Sequence, residues 1–452
     1  MRVGYGPPRD QGEDVGMERT WLQQYPEGVS ADVKADEATT LLSIYADSCQ
    51  KYADLPAFTC QNTTMSYRQL WERSSQFASF LQHELKLKKG QRIAIMLPNL
   101  LQYPVVLFGA FQAGLTVVNI NPLYKARALE HQLRDSETDA IVVLENFIGE
   151  LERAIQKTEV KHVIVTSVGD LYSFAKRHVV NFIVRRSIDK SVHSQLTMTS
   201  LKKALYIGQQ QRYREVLVES ADIAFLQYTG GTTGLAKGAI LSHGNLVANV
   251  YQTYEWLKAV PKIQTTEQLS IITALPLYHI FSLECNCLLF LNLGGRNILI
   301  PNPRDIPSLV KVLKKTPFHF VSGVNTLFNA LVRHAEFKQV NFSKLLAVVG
   351  GGMAVQQSVA DQWEKITGVP ICQAYGMTET SCAVTINPVG DSFNGSIGLP
   401  ISSTFVSVRR EDESIAKAGE HGEICIKGPQ VMRGYWKDAK ATIAAFTQDG
   451  IF

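Results

Sequence analysis

The chain has 452 residues, and 45 Lys+Arg against 41 Asp+Glu leave a formal net charge of +4. With 45% hydrophobic and 19% charged residues the composition is that of a globular protein, which excludes collagen-like, solenoid and disordered classes, and the charge is too balanced to argue for a nucleic-acid partner. At roughly 100–200 residues per domain, this length suggests several packing units.

Residues 1–38 are polar and read as a loose extension; no basic-then-apolar run marks a signal peptide, and Met17 opens a second plausible start. Ser66 and Gln69 have capping-box spacing. Leu70, Phe77, Leu81 and Leu85 then follow on one helical face, Gly90 stops that helix, and Arg92–Leu97 reads as a strand. From Ile93 to Tyr124 there is no Asp, Glu, Lys or Arg. That run could span a membrane by length, but Pro98, Pro104, Pro122 and several Asn and Gln interrupt it, so it is predicted as buried strand, buried helix, buried strand. Strands are predicted at Ala140–Leu144 and His162–Thr166 around a helix near Phe147–Ala154. Between Leu171 and Val218 no strand is clear, and Lys176, Arg177, Arg185, Arg186, Lys190, Lys202 and Lys203 alternate with Val179, Val180, Phe182, Ile183 and Val184. Two readings stay open there: an amphipathic segment on an anionic membrane surface, or a solvated helix or loop covering the core.

Further on, helices at Pro307–Lys315, Asn325–Val332 and Gln357–Thr367 alternate with strands at Phe318–Ser322, Leu345–Val349 and Ile371–Ala374. Such alternation implies α/β architecture, parallel sheets wrapped by helices. After Gly395 the helical period vanishes, and Thr404–Arg409 and Glu423–Lys427 suggest a small β subdomain. The expected organisation is therefore an extension (1–38), a first α/β subdomain (39–220) with a basic insert (171–218), a second α/β subdomain (221–394) and a β subdomain (395–452). Seven cysteines form no CxxC pair and no clustered His accompanies them, which disfavours a disulfide framework or structural zinc and fits a reducing cytoplasm.

The segment with the most chemical content is Tyr228-Thr229-Gly230-Gly231-Thr232-Thr233-Gly234-Leu235-Ala236-Lys237-Gly238, set between the apolar strands Ile223–Leu226 and Ala239–Leu241. Its glycines let backbone amides turn toward an anion, its threonines add hydroxyl donors and Lys237 adds a positive charge. That is chemistry for a polyphosphate. It is not a Walker A loop, because Ala236 precedes Lys237 and Gly238 follows it.

This segment resembles the phosphate-binding signature of the adenylate-forming superfamily. Pro276–Phe281, Gly350–Gly352, Gln373–Thr380 and the stretch from Gly422-Glu423-Ile424 to Gly434-Tyr435-Trp436 resemble further motifs of that superfamily, in its order. Asn99–Pro104, Asn121–Tyr124, Ala274–Phe281, Asn302–Pro307 and Gly323–Leu331 are similar to bacterial long-chain fatty acyl-CoA synthetases. The resemblance implies two helix-flanked, mostly parallel sheets with a small, incomplete β-barrel. It implies an ATP-dependent activation of a fatty acid to acyl-AMP followed by transfer to CoA, with Mg2+; ligases for medium-chain or aryl acids, or a non-catalytic acyl- or nucleotide-binding fragment, are the alternatives.

By the same resemblance, Thr229, Thr232, Thr233, Lys237 and the loop amides of residues 228–238 would hold the ATP phosphates. Gly350, Gly351, Gly352, Tyr375 and Gly376 would receive the adenine, Thr378 would donate to phosphate and Glu379 would carry Mg2+. His279 would lie near the reacting carboxylate as an electrostatic or positioning group; a core histidine is the plainer reading. Val321, Gly323, Val324 and Leu327 are acyl-tunnel candidates, with ordinary core as the alternative. A peripheral contact on the inner face of the membrane and a homodimer complete the expectations. The family pattern continues past Phe452 into a Thr-Gly-Asp step, a hinge and a small C-terminal domain with a catalytic lysine. A chain ending at Phe452 is therefore expected to turn over poorly on its own, whether it is a cloned segment, a fragment or a gene product.

Overall fold

The computed structural model describes residues 19–34, 36–187, 196–229, 235–260, 263 and 267–452. Two sheets carry the architecture. The larger has nine strands. Six of them, Pro56–Cys60, Arg296–Leu299, Ser270–Thr273, Phe320–Gly323, Ala347–Gly350 and Ile371–Met377, run parallel side by side in that order. Thr63–Ser66 closes one edge antiparallel, and Cys382–Ile386 with Leu399–Pro400 closes the other. The seven-stranded sheet orders Met198–Ser200, His162–Thr166, Ala140–Leu144, Arg92–Met96, Thr116–Asn119, Ile223–Thr229 and Lys237–Ser242, parallel except for the last pair.

Local sequence explains the helices that cover these sheets. Ser66 and Gln69 form the expected capping box, and helix Tyr67–His83 buries Leu70, Phe77 and Leu81. The helix ends at His83, with Glu84 still in the αR region and Lys86 left-handed at φ +57°, so Gly90, at φ +81°, shapes the turn into strand Arg92–Met96 rather than ending the helix. The charge-free run forms strand Arg92–Met96, the fully buried helix Gln102–Gln112 and strand Thr116–Asn119, as its prolines and amides predict. No helix among the described residues is long and apolar enough to cross a membrane. Strand residues alternate between cores: Phe320 joins the core shared with the seven-stranded sheet, and Val321 joins the core under helices Ile306–Lys315, Asn325–Arg333 and Gln357–Thr367.

Several expectations need correcting. The sheets do not divide at residue 220. Hairpin Ile223–Ser242 completes the seven-stranded sheet of the first half, and strands Pro56–Cys60 and Thr63–Ser66 complete the nine-stranded sheet of the second. Periodicity identifies strands but carries no information on which strand each one pairs with. The insert contains a short strand, Met198–Ser200, added to the sheet edge, and helices Phe174–Ser187 and Leu201–Gly208. The expected β-barrel is a two-stranded ribbon, Phe405–Arg409 with Glu423–Lys427, and a short helix, Ala439–Ala444, follows it; no closed barrel occurs among the described residues. Part of the N-terminal extension is pinned: the Tyr25 hydroxyl donates to the Pro400 carbonyl at 2.5 Å, and the Ser403 N–H donates to the Ala31 carbonyl at 2.9 Å.

Candidate active site

The hairpin register pairs Thr229 with Lys237, Tyr228 with Gly238 and Gln227 with Ala239. Thr229 and Lys237 thus stand opposite one another at the mouth of the loop. Gly230, Gly231, Thr232, Thr233 and Gly234 lie outside the described residues. Leu235 is exposed, and the Ala236 carbonyl accepts from His131 Nε2 at 3.0 Å. Tyr228 faces inward: its hydroxyl donates to Asp135 at 2.5 Å, and burial, with that carboxylate, pushes its pKa up. Gly238 packs close beneath it: a Cβ there would lie 3.1 Å from the Tyr228 ring, which would have to give by a few tenths of an ångström.

A segment from the far end of the chain runs along the hairpin's outer strand. Arg433 N–H donates to the Ile240 carbonyl, Ile240 N–H to the Gly434 carbonyl and Trp436 N–H to the Gly238 carbonyl. This pairing places the Tyr435 ring under Lys237, whose Nζ is 5.2 Å from the ring centroid, within cation–π range. The Tyr435 hydroxyl donates to Glu379 Oε1 at 2.8 Å. Burial, then the Glu379 carboxylate, raises the Tyr435 pKa. Glu379 is buried on a 3-10 turn, Thr378–Thr380, that follows strand Ile371–Met377. Three motifs distant in sequence therefore meet at Lys237, Tyr435 and Glu379.

The parallel strands of the larger sheet bring the glycines to the same rim, where ligands bind in open α/β sheets. Gly323 pairs with Gly350, and Gly350 with Gln373. A Cβ on Gly351 would lie 3.2 Å from the Phe281 ring and 3.3 Å from the Ala374 carbonyl, so this position joins the aromatic-His segment to the strand that carries Tyr375. Gly352 has φ +73° and is exposed. Tyr375 is half-buried, and its hydroxyl is held above the usual range by burial and then by Glu379. Gly376 admits no side chain, because a Cβ would lie 1.6 Å from the Cys382 carbonyl oxygen.

His279 is the N-cap of the turn Ile280–Ser282, and its Nδ1 accepts the Phe281 N–H at 3.3 Å. The neutral ring then carries its proton on Nε2. Its edge reaches solvent, yet the protein packed around it disfavours the charged form and lowers its pKa. Of the acyl candidates, Val321 and Leu327 lie in the helix-covered core, while Val324 is half-buried and a Cβ on Gly323 would lie 2.7 Å from the Phe328 ring.

Sequence reasoning missed the framework beneath this site. Asn99 donates to the Thr273 and Leu275 carbonyls and accepts from the Leu277 N–H. The Tyr103 hydroxyl reaches the Leu277 carbonyl and Asn119 Oδ1, each at 2.8 Å. Asn119 then donates to Gln227, and Gln227 donates to the Tyr278 carbonyl at 2.7 Å. These buried amides clamp the loop bearing His279 to the strand that leads into the Thr229–Lys237 hairpin. The available signal was polar side chains inside the charge-free run. Tyr435 was quoted in a motif but given no role, because only the register shows what it touches. Beyond His279, a π-helical turn, Leu283–Leu288, buries Glu284 completely. Glu284 Oε1 accepts from the Thr253 hydroxyl at 2.8 Å, the Cys382 thiol lies beside the carboxyl, and burial pushes its pKa to about 8.

The chain is 49% identical over 432 residues to a long-chain-fatty-acid–CoA ligase of Salmonella typhimurium, covering 94% of this chain and 76% of that protein. A ligase of the same name from Haemophilus influenzae is 48% identical over 430 residues, with the same two coverages. A solved anthranilate CoA ligase in complex with anthranoyl-AMP superposes with a TM-score of 0.80 at 19% identity, over 92% of this chain and 75% of that one, which supports the fold. The family model for AMP-binding enzymes matches residues 45–436, which take in the hairpin, the glycine rim, Glu379 and Tyr435, and the chain belongs to that family.

Proposed function

We propose that this chain binds ATP and a long-chain fatty acid and forms the acyl-adenylate from which CoA takes the acyl group. The observation that carries the substrate class is the near-half identity to long-chain-fatty-acid–CoA ligases over 94% of the chain. A carboxylate oxygen attacks the α-phosphorus of ATP, the bond to the β-phosphate oxygen breaks, and pyrophosphate leaves with its electron pair. The CoA thiolate then attacks the acyl carbon and AMP departs.

The reaction needs two anions held together, so fixed positive charge and donors aimed at the phosphates matter most. Lys237 and Thr229 at the mouth of the hairpin, with the loop between them, supply these. Thr378 adds a hydroxyl beside Glu379. No group of three or more His, Cys, Asp or Glu that could hold a metal exists among the described residues. A lone buried carboxylate, Glu379, fits Mg2+ arriving with a triphosphate, which takes one or two carboxylates and keeps waters. When bound, that ion neutralises phosphate charge. Tyr375 and the backbone of Gly350–Gly352 offer a flat, side-chain-free face for adenine. His279, neutral with Nε2–H, donates to an anionic oxygen and orients it; its lowered pKa suits a donor that need not carry charge. Gly323 and Val324, at the end of the strand, are the acyl-facing positions, whereas Val321 and Leu327 shape the wall from the core behind it. We also propose that the enzyme meets its apolar substrate at the inner face of the membrane.

Pyrophosphate–ATP exchange across palmitate, octanoate and benzoate tests this. Exchange fastest with palmitate, and a Lys237→Ala loss of ATP affinity on the order of tenfold or more with unchanged melting temperature, is the expected result. A preference for benzoate would assign another acid. ATP binding without exchange for any acid, even with the remaining portion of a relative supplied in trans, would mark a binding module. Unchanged ATP affinity in Lys237→Ala would remove the hairpin from the site.

A further inference from the structure

Helix Phe174–Ser187 turns Lys176, Arg177 and Asn181 inward, with Val180 against the core. Asn181 Oδ1 accepts the Gly169 N–H at 2.8 Å, and its Nδ2 donates to Asp170 at 3.3 Å. Lys176 reaches the Gln61 carbonyl and the Thr63 hydroxyl, and its Nζ lies 4.8 Å from the centroid of the Tyr172 ring. Between this helix and strand His162–Thr166 is a cavity of about 800 Å³, lined by Glu145, Asp170, Arg177 and Lys202 and reached at its rim by Val179 and Phe182, and Val180 packs on the core, so polar bonds and a single apolar contact together hold the helix.

The outward side is apolar. Phe174 is 73% exposed, Val179 60%, Phe182 57% and Ile183 62%. At 100° per residue, positions 174, 175, 178, 179, 182 and 183 share one face, on which His178 is the polar member, and in the last turn positions 185 and 186, both Arg, fall on the same face. A water-facing helix ordinarily has the opposite arrangement, and a contiguous exposed apolar stripe marks an interaction site. Helix Leu201–Gly208, whose Lys202 lines the same cavity, presents Lys202, Lys203 and Tyr206 to solvent.

Charge selects the occupant. Residues 171–214 contain nine Lys and Arg and a single acid, Asp189. An apolar stripe carried by a basic stretch of sequence, with Lys202 and Lys203 exposed on the neighbouring helix, matches an anionic bilayer, where side chains enter the acyl boundary and cations meet headgroups. We propose that the outward face of helix Phe174–Ser187 docks on an anionic lipid bilayer, with Lys202 and Lys203 at its rim. This specifies the surface behind the membrane contact proposed above but does not depend on the catalytic reading, because it involves no residue of the adenylating site.

The test is flotation of the full 452-residue chain with phosphatidylcholine vesicles, with and without phosphatidylglycerol, in the absence of ATP and fatty acid. Binding to the anionic vesicles that weakens with salt is expected. Val179→Gln/Ile183→Gln, which keeps charge and helix propensity, should lower partitioning on the order of tenfold. Lys202→Gln/Lys203→Gln should lower it on anionic vesicles alone. Hydrogen exchange on the wild-type chain, which needs no variant, should show residues 174–187 protected by anionic vesicles. A wild-type chain that ignores anionic vesicles, apolar variants that bind as well as wild type, or no protection of the helix would each overturn the proposal. So would a self-association, seen by sedimentation without lipid and abolished in Val179→Gln/Ile183→Gln, which would assign the face to a second copy. Pyrophosphate exchange measured separately with soluble octanoate keeps failure of the docking proposal distinct from failure of the enzymatic one.

Discussion

The ring of Tyr435 stands between a cation and an anion, and its two interactions can be separated by substitution. Tyr435→Phe keeps the face that Lys237 covers and removes only the donor to Glu379. Its expected effect is a rise in the Mg2+ concentration needed for half-maximal pyrophosphate exchange, with ATP affinity little changed. Tyr435→Leu removes both interactions and should weaken ATP binding as well. Identical behaviour of the two variants would mean that the hydroxyl has no separate part. Glu284 offers a second residue-scale test, through pH. Its folded pKa of about 8 lies above the ordinary 4.5, so the native state keeps a proton that the unfolded chain releases. Its stabilising contribution is full below about pH 4.5 and is lost as pH rises toward 8, amounting to about 3 kcal/mol by neutral pH. Glu284→Gln cannot ionise, so denaturant unfolding of that variant should lack this slope and show higher stability than wild type at pH 7. Parallel stability–pH curves for the two proteins would show that Glu284 titrates normally.

At the scale of elements, the site depends on how firmly the loop Pro276–His279 is held against strand Ile223–Thr229. That hold is a chain of buried amides, and buried polar groups are expensive to leave unmade. Gln227→Ala orphans the Tyr278 carbonyl and the Asn119 amide together, so a loss of about 2 kcal/mol or more is expected in urea unfolding. Adenylation should fall further than stability explains, because the His279 turn loses its tether; a drop in kcat with unchanged ATP affinity, measured under conditions where the variant is folded, checks this. Most of these elements were legible in the sequence. The capping box at Ser66, the Pro-punctuated strand–helix–strand of the charge-free run and the hairpin around Gly238 were each readable from local pattern alone. The π-helical turn that buries Glu284 was not, since nothing in Leu283–Leu288 departs from ordinary helical composition and only the packing against Thr253 and Cys382 reveals it. Strand Met198–Ser200 was missed for a related reason: three residues on a sheet edge carry too little alternation to register.

For the whole molecule, what stayed hidden was pairing over long distances in sequence. Hairpin Ile223–Ser242 extends a sheet begun at residue 92, and residues 56–66 extend one assembled after residue 270. The same rule governs the chain's last stretch, where Arg433–Trp436 covers the outer edge of strand Lys237–Ser242. An open strand edge presents unpaired amides and invites association, so this segment both caps the sheet and delivers Tyr435 to Lys237. Two truncations separate these roles from the rest of the terminus. A chain ending at Lys437 retains the edge pairing; one ending at Gln430 loses it, although Gln430 itself stays anchored to Gln252 and Thr404. The shorter chain should self-associate in sedimentation and lose ATP affinity, while the longer one stays closer to the full chain in both respects. Both chains lack the pairing of Phe452 with Ile426 and of Asp449 with Arg409, so that loss cannot account for a difference between them. Equal ATP affinity and equal association state in the two truncations would show that the edge cover contributes nothing to the nucleotide site, and the contact between Tyr435 and Lys237 would then be packing alone.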